Sequence, residues 1–489
     1  MKAHVPDPGS QGTATNAKPG PTTSSRKKAS SSAKTAPRTR ALLKNPRPQD
    51  EPPEHTVLIQ DCNILRTGTL ERGSILIQSG KIARIAHKII TARDEKVNGR
   101  NLLALTGLVD AHVHLRDMGL SHKENFTTGT SAAAAGGVTT VLDMPNTQPP
   151  TDSAPRLRAK MDMARGKILV DVGFHAAAVP DERTVDKLAE TGAFSLKLYL
   201  PNPISPLAVQ DDATISKTMR DALRNKLLVT VHAEDKDTID RASEKEPKSF
   251  SDLEASRPPM AEKLAVSRIL RLQRQTNAWV YFCHLTLHSS LATIRNTRSR
   301  RVYTEVTPHH LLLSKRSLAD RRWKAWMVPP LRSEASRRKL LSATAKGQVT
   351  VIASDHAPHT IKEKKQLLHS PPGIPGLETT LPLLLTMVNK GQIALSRVLD
   401  LTSANPARAF GLTSKGRLET GQDGDVVLVD LKKKSKIHPE TFHSKAKFSP
   451  FEGVQTQGAV HTTIVRGNVV YSEGNIVARP GTGRVLEKG

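Results

Sequence analysis

Two histidines stand one residue apart in His112-Val113-His114, at the end of an apolar run over residues 105–109. Side chains alternate along a strand with period two, so both imidazoles leave one face. Such a strand end is a half-site for a divalent metal. An isolated pair of this kind is more often two hydrogen-bonded core histidines. The later strand ends change that balance. Asn146 follows the second apolar strand, Lys197 lies in the fourth, His232 ends the fifth, His284 the sixth and Asp355 the eighth, with His356 and His359 just beyond. Four histidines and an aspartate at corresponding strand ends read as a metal centre rather than a core feature.

Lys197 is the unusual member. An ammonium repels divalent cations, so beside them it must lose its proton or be modified. Carbon dioxide can carbamylate the amine, giving a carboxylate able to bridge two metals. The alternative is a lysine paired with Asp355 or with a substrate carboxylate. Bridged metals would acidify a water and polarise a carbonyl. Asp355 then suits the acid–base role, moving a proton from that water to a leaving nitrogen. Arg116, two residues past His114, faces the same mouth and suits bidentate capture of a carboxylate. Asn146 and His359 can reach the same anion. Cys283 and Glu305, with a histidine, could hold a further zinc; a buried thiol and a salt-bridged glutamate are the plainer reading. His175, His309 and His310 read as structural.

The elements that must position these groups follow from the apolar pattern. Eight strand segments are legible, at residues 105–113, 139–143, 168–174, 195–199, 227–231, 279–282, 301–306 and 349–353. Helical stretches such as 260–275 and 335–345 separate them. Eight strand–helix units predict an α/β fold, a (β/α)8 TIM-like barrel with its chemistry at the C-terminal strand ends. Short alternating strands precede it, at 56–59, 74–78 and 82–85, and return after it, at 426–429, 462–465 and 469–471. They predict a small β-sandwich domain built from both chain ends, residues 54–104 and 415–489, flanking a barrel at 105–414. Residues 1–53 are rich in Ser, Thr, Ala, Pro, Gly and Lys and cannot bury enough surface to offset their ordering entropy. They read as a disordered basic tail, whose acid-poor start weakly resembles an organelle transit peptide.

The chain of 489 residues carries a net charge of +27, spread over the tail and stretches such as 298–301, 321–322 and 432–434. Such a field attracts anionic small molecules, acidic proteins and nucleic acid alike. Aromatic residues make up 3%, too few for base-stacking platforms, so a solvated basic surface is the reading and nucleic acid is not an expected partner. Two cysteines, Cys62 and Cys283, argue against a disulfide framework and fit a reducing compartment. No apolar run approaches the roughly 20 residues of a membrane span. A soluble, cytoplasmic protein is expected.

At these residues the chain resembles the dihydroorotases of the cyclic amidohydrolase superfamily, with the closest likeness to the dihydroorotase domain of the animal trifunctional pyrimidine-synthesis protein. The matching segments are Gly107-Leu-Val-Asp-Ala-His-Val-His-Leu-Arg116, Met144-Pro-Asn-Thr147, Leu196-Lys-Leu-Tyr-Leu200, His232-Ala-Glu234, Cys283-His284, Pro308-His-His-Leu311, Ser354-Asp-His-Ala-Pro-His359 and Pro375-Gly-Leu-Glu378. Together they are highly specific, and the likeness runs from about residue 55 to about residue 480. The resemblance implies one zinc on His112, His114 and Asp355, a second on His232 and His284, and carboxylated Lys197 between them. It implies Arg116, Asn146 and His359 on the substrate carboxylate, and Cys283 and Glu305 as able to join a third zinc. The implied reaction is the reversible closure of N-carbamoyl-L-aspartate to L-dihydroorotate in pyrimidine biosynthesis. A homodimer, and association with other pyrimidine-pathway enzymes, are implied as well.

Three departures stand out. Met118 occupies a position where the family commonly has proline, Val328 one where Asn or Arg reaches the substrate, and Pro201-Asn-Pro-Ile204 replaces a Thr-Phe loop tip. They keep open another cyclic amidohydrolase, of allantoinase or hydantoinase type. Arg116 and Asn146 argue against it, because a dihydropyrimidinase substrate has no carboxylate for them to hold. A non-catalytic scaffold of this family would typically have lost ligands, and none is lost here. Removal of residues 1–50 should leave both folding and turnover intact. A truncated chain that is unfolded by circular dichroism would overturn the disordered-tail reading.

Overall fold

The computed structural model describes residues 55–488 except 67, 92–94, 203, 205, 207–208, 245–246 and 367–368. The tail expected over residues 1–53 and Pro203 of the 201–204 loop lie outside the described residues.

Eight parallel strands form the barrel: Leu108–Val113, Val138–Asp143, Asp171–Phe174, Ser195–Tyr199, Leu228–His232, Val280–Phe282, Val302–Val306 and Val351–Ile352. Hydrogen bonding runs in two arcs. The first three strands make one; the rest, led by the two-residue strand Ala176–Ala177, make the other. Phe194 N donates to Phe174 O at 2.9 Å where the arcs meet. At the other seam Val113 bridges His356 in parallel, and His114 N donates to His356 O at 2.8 Å. The strands are buried along nearly their whole length, which is why they read as apolar runs rather than as alternations. The helices expected near 260–275 and 335–345 are Pro259–Thr276 and Glu334–Ala345. The first opens on proline and stops at left-handed Asn277; the second is capped by the Ser333 side chain.

The apolar run at 105–113 is two strands, not one. Leu103–Thr106 pairs with strands from the two chain ends, and Leu108–Val113 opens the barrel. The chain changes sheets at Gly107, where a Cβ would lie 2.1 Å from Thr139 Oγ1, so only glycine fits. The third strand begins at Asp171, not at residue 168. The Ile168 carbonyl instead accepts hydrogen bonds from Gly481 and Gly483 near the C-terminus.

The strand-rich ends share one nine-stranded sheet, in which Val426–Lys436 lies antiparallel to Leu103–Thr106 and thereby joins late strands to early ones. Val57, Ile59, Ile75, Ile77, Val426, Leu428 and Ile464, drawn from both halves, pack together, so the sheet encloses its own core as a sandwich does.

A buried ion-pair network fastens this sheet to the barrel. Lys415 Nζ lies 2.7 Å from Asp171, which starts the third barrel strand, 2.7 Å from Asp425 and 2.9 Å from Asp423. Arg466 also bonds Asp171. Burial alone would lower the Lys415 ammonium, but the three carboxylates push it above its ordinary value. Lys415→Met should leave buried charges uncompensated and cost about 3–5 kcal/mol in urea unfolding. A loss below about 1 kcal/mol would mean that Arg466 carries the junction alone.

Candidate metal centre and active site

The C-terminal strand ends open into a cavity of about 270 Å³. His112, His114, Lys197, His232, His284 and Asp355 line its floor, and Arg116, Asn146 and His359 line one side. Period-two alternation and the strand–helix repeat therefore bring the sequence-derived candidates together.

His112 Nε2 and His114 Nε2 lie 3.3 and 3.2 Å from the same oxygen of Asp355. His232 Nδ1 lies 3.0 Å from His284 Nε2. Lys197 Nζ donates to Cys283 Sγ at 3.1 Å. The pairing of Lys197 with Asp355, one of the alternatives from sequence, is not what the chain adopts: Asp355 is turned to the histidines.

The outer ring nitrogens are committed. His112 Nδ1 faces Glu305 at 2.9 Å, His114 Nδ1 faces Asn146 Oδ1 at 2.7 Å, and His232 Nε2 faces Glu234 at 2.7 Å. Each acceptor holds a proton on the outer nitrogen and turns the other ring nitrogen inward. Glu305 also accepts from His284 N and Tyr281 OH, both at 2.8 Å, and Arg257 donates to Glu234 at 2.5 Å.

This donor set fits a divalent cation. His232 Nδ1 and His284 Nε2 face each other, and the Nε2 atoms of His112 and His114 converge on Asp355, so four ring nitrogens and a carboxylate line one space, a set that suits a divalent cation. Burial holds His114 at about 3 and His232 at about 4, and pushes His284 well below its ordinary value, so all three rings are neutral, the form a metal ligand must take. Burial would lower His112 too, but Glu305 and then Asp355 raise it to about 10. Burial would raise the Asp355 carboxyl, but His112, His114 and His284 hold it well below the usual range. An imidazolium between two carboxylates marks a negative potential for which a dication competes with the proton.

Backbone strain gathers at the same rim. Arg116, His284 and Asp355 have φ of 66°, 31° and 47°, left-handed values at about 1–3 kcal/mol each for non-glycine residues. Met118 has φ 79°. Proline is locked near −65°, so the departure at Met118 goes with a backbone that proline could not adopt.

On one side of the cavity, Arg116 Nε donates to Pro358 O at 3.3 Å, and its terminal nitrogen lies 3.1 Å from His359 Nε2. Burial lowers the guanidinium only to about 10, so it stays charged. Val328 and Ile204 add apolar wall.

Histidine 175 has both nitrogens held, by Ser195 Oγ at 2.6 Å and Ala111 O at 3.1 Å. His310 is held by Thr307 and Pro329 O, but His309 Nε2 is buried with no hydrogen-bond partner among the described residues. Sequence reasoning missed Tyr199, whose ring centroid lies 4.1 Å from that of His232, and it gave no role to Glu234. Glu234 stands two residues past His232, the spacing that flagged His112 and His114, so that signal was present. Lys123 and Arg257 sit on loops with no periodicity to expose them.

Residues 103–470 match the amidohydrolase family. The dihydroorotase of Methanothermobacter thermautotrophicus is 39% identical over 436 residues, covering 88% of this chain and 96% of its own. The dihydroorotase of Pyrococcus furiosus is 36% identical, covering 88% and 97%. Among solved structures, the L-hydantoinase (dihydropyrimidinase) of Arthrobacter aurescens superposes with a TM-score of 0.84 at 27% identity, over 88% of this chain and 99% of that one. The dihydropyrimidinase of Brevibacillus agri superposes at 0.82 and 29%, over 88% and 98%. The chain belongs to the amidohydrolase family, and within it to the dihydroorotases.

Proposed function

We propose that the protein is a zinc-dependent dihydroorotase that interconverts N-carbamoyl-L-aspartate and L-dihydroorotate. One observation carries this reading: a set of inward imidazole nitrogens shares its cavity with the fixed guanidinium of Arg116. A metal centre alone suits any cyclic amide. A buried cation beside it selects a substrate that bears a carboxylate.

In this reading His112, His114 and Asp355 would hold one zinc and His232 and His284 a second, and Lys197, carboxylated by carbon dioxide, would add its carboxylate oxygens as ligands. Lys197 makes no ion pair with a carboxylate among the described residues, which leaves its amine for that modification. Bound zinc would supply an acidified water and a polarised amide carbonyl. Asp355, ionised at neutral pH, takes the proton of the attacking oxygen and delivers it to the amide nitrogen as the ring opens. Ring closure runs the same transfer backwards. Asn146 commits its Oδ1 to His114, so its amide N–H groups are free to join Arg116 and His359 on the substrate carboxylate. His112, Cys283 and Glu305 each bring one ligand atom within 4.8 Å of the others, a set that suits a third zinc. The proposal extends to a cytoplasmic homodimer; both cysteines are free and buried, as suits a reducing compartment. No helix among the described residues is long and apolar enough to cross a membrane.

The competing reading is a hydantoinase-type amidohydrolase, and Val328 on the cavity wall is the feature that favours it. Zinc-loaded protein should hydrolyse L-dihydroorotate far faster than dihydrouracil or allantoin. Chelation should abolish turnover and zinc restore it. Asp355→Ala should lower kcat by about 10²–10⁴-fold, and Arg116→Met should chiefly raise KM. Preference for dihydrouracil, or full activity in Asp355→Ala, would overturn the proposal.

A further inference from the structure

We propose that Lys123 is a positioning residue: it fixes the tautomer of His359 and so makes that ring a hydrogen-bond donor toward the substrate. The inference rests on the carboxylate-binding role given to His359 above.

Lys123 lies on the loop between the first barrel strand and the helix Phe126–Ala135. Its side chain is 14% exposed, and its Nζ lies 3.1 Å from Glu363 Oε1 and 3.2 Å from His359 Nδ1. Glu363 is itself anchored. Its other oxygen accepts from Thr360 N at 3.0 Å, in the capping box of the short helix Ile361–Lys364. A pinned carboxylate thus aims an ammonium at one nitrogen of the ring.

An ammonium donates and never accepts. His359 Nδ1 therefore turns its lone pair to Lys123, and a neutral ring then carries its proton on Nε2. That nitrogen lies 3.1 Å from Pro372 O, which can only accept. The opposite tautomer would set N–H against ammonium and lone pair against carbonyl. Burial, with Arg116 and Lys123 beside it, keeps the ring neutral by holding it far below its ordinary value.

The consequence falls on Arg116, whose terminal nitrogen is 3.1 Å from His359 Nε2. With the proton on Nε2, the two are donors side by side with no bond between them, and a substrate carboxylate satisfies Arg116 and competes with Pro372 O for the His359 proton. With the proton on Nδ1, Nε2 accepts from Arg116, and the pair closes on itself. Lys123 decides between a self-satisfied pair and one open to an anion.

The test uses full-length, zinc-loaded protein labelled with 15N-histidine. Long-range proton–nitrogen NMR reads the His359 tautomer, assigned by its loss in His359→Gln. Wild type should show Nε2–H. Lys123→Met should move the proton toward Nδ1 and raise KM for L-dihydroorotate about tenfold or more, with kcat within about threefold. Lys123→Arg, which keeps a cationic donor, should restore the tautomer and most of the KM. An unchanged Nε2–H ring in Lys123→Met overturns the proposal, as does a changed tautomer with unchanged KM. The tautomer is read without substrate. A tautomer change in a protein that does not turn over L-dihydroorotate upholds the hold of Lys123 on His359 and overturns the dihydroorotase reading alone.

Discussion

Buried carboxylates behind the barrel mouth are the constraint on which the rest depends. Glu305, at the end of the seventh strand, receives Tyr281 OH and His284 N from the sixth and faces His112 of the first. Asp110 of the first strand accepts from Ser354 N, beyond the eighth, at 3.1 Å, and from His112 N at 3.2 Å. Asp143, ending the second, accepts from Leu115 N at 2.7 Å and pairs with Lys160 at 2.6 Å. These are not surface ion pairs worth a few tenths of a kcal/mol. Each is wholly or almost wholly buried, so a slip of one strand would strand a charge without its partner. The same groups that set strand register also set the rings and loops of the site.

That double duty explains how strained backbone survives at the rim. Left-handed φ at Arg116, His284 and Asp355 is costly for residues with a Cβ. Each is bracketed by a carboxylate bond close in sequence. Asp143 holds Leu115 N before Arg116, Glu305 holds His284 N itself, and Asp110 holds Ser354 N before Asp355. The surroundings over-determine these conformations, so three side chains turn into one cavity that relaxed strand ends would not reach.

What was legible in the sequence is what is local. His112 and His114 share a face by simple alternation, and the ligand types recur at the ends of an alternating strand–helix pattern. The change of sheet at Gly107 was not legible, because both flanking strands are buried and equally apolar. Lys197 against Cys283, His112 against Glu305 and Lys123 against His359 join positions far apart in sequence, and no periodicity encodes such contacts. His309 and His310 look alike in sequence, yet only His310 has both nitrogens held, since that depends on the Pro329 carbonyl arriving from another segment.

The residue after Asp355 shows why the strand-rich ends belong to the chemistry as well as to the fold. The His356 carbonyl closes the barrel by accepting from His114 N, and its Nδ1 accepts from Gly376 N at 3.1 Å. Its Nε2 faces Glu124 at 3.5 Å, an electrostatic contact rather than a hydrogen bond. Burial would raise the Glu124 carboxyl, but His356 and the hydroxyls of Ser444 and Thr128 lower it, so it stays ionised under the ring. Ser444 comes from the segment between the long strands Val426–Lys436 and Gln455–Val465, and Glu378 fixes that segment by accepting from His443 N and Ser444 N. The connection between two strands of the outer sheet thus supplies a hydroxyl that braces Glu124, which braces His356, whose backbone sets Asp355. A disturbance of the outer sheet would reach Asp355 through two contacts and a peptide bond, so the second sheet is part of what holds the site in register.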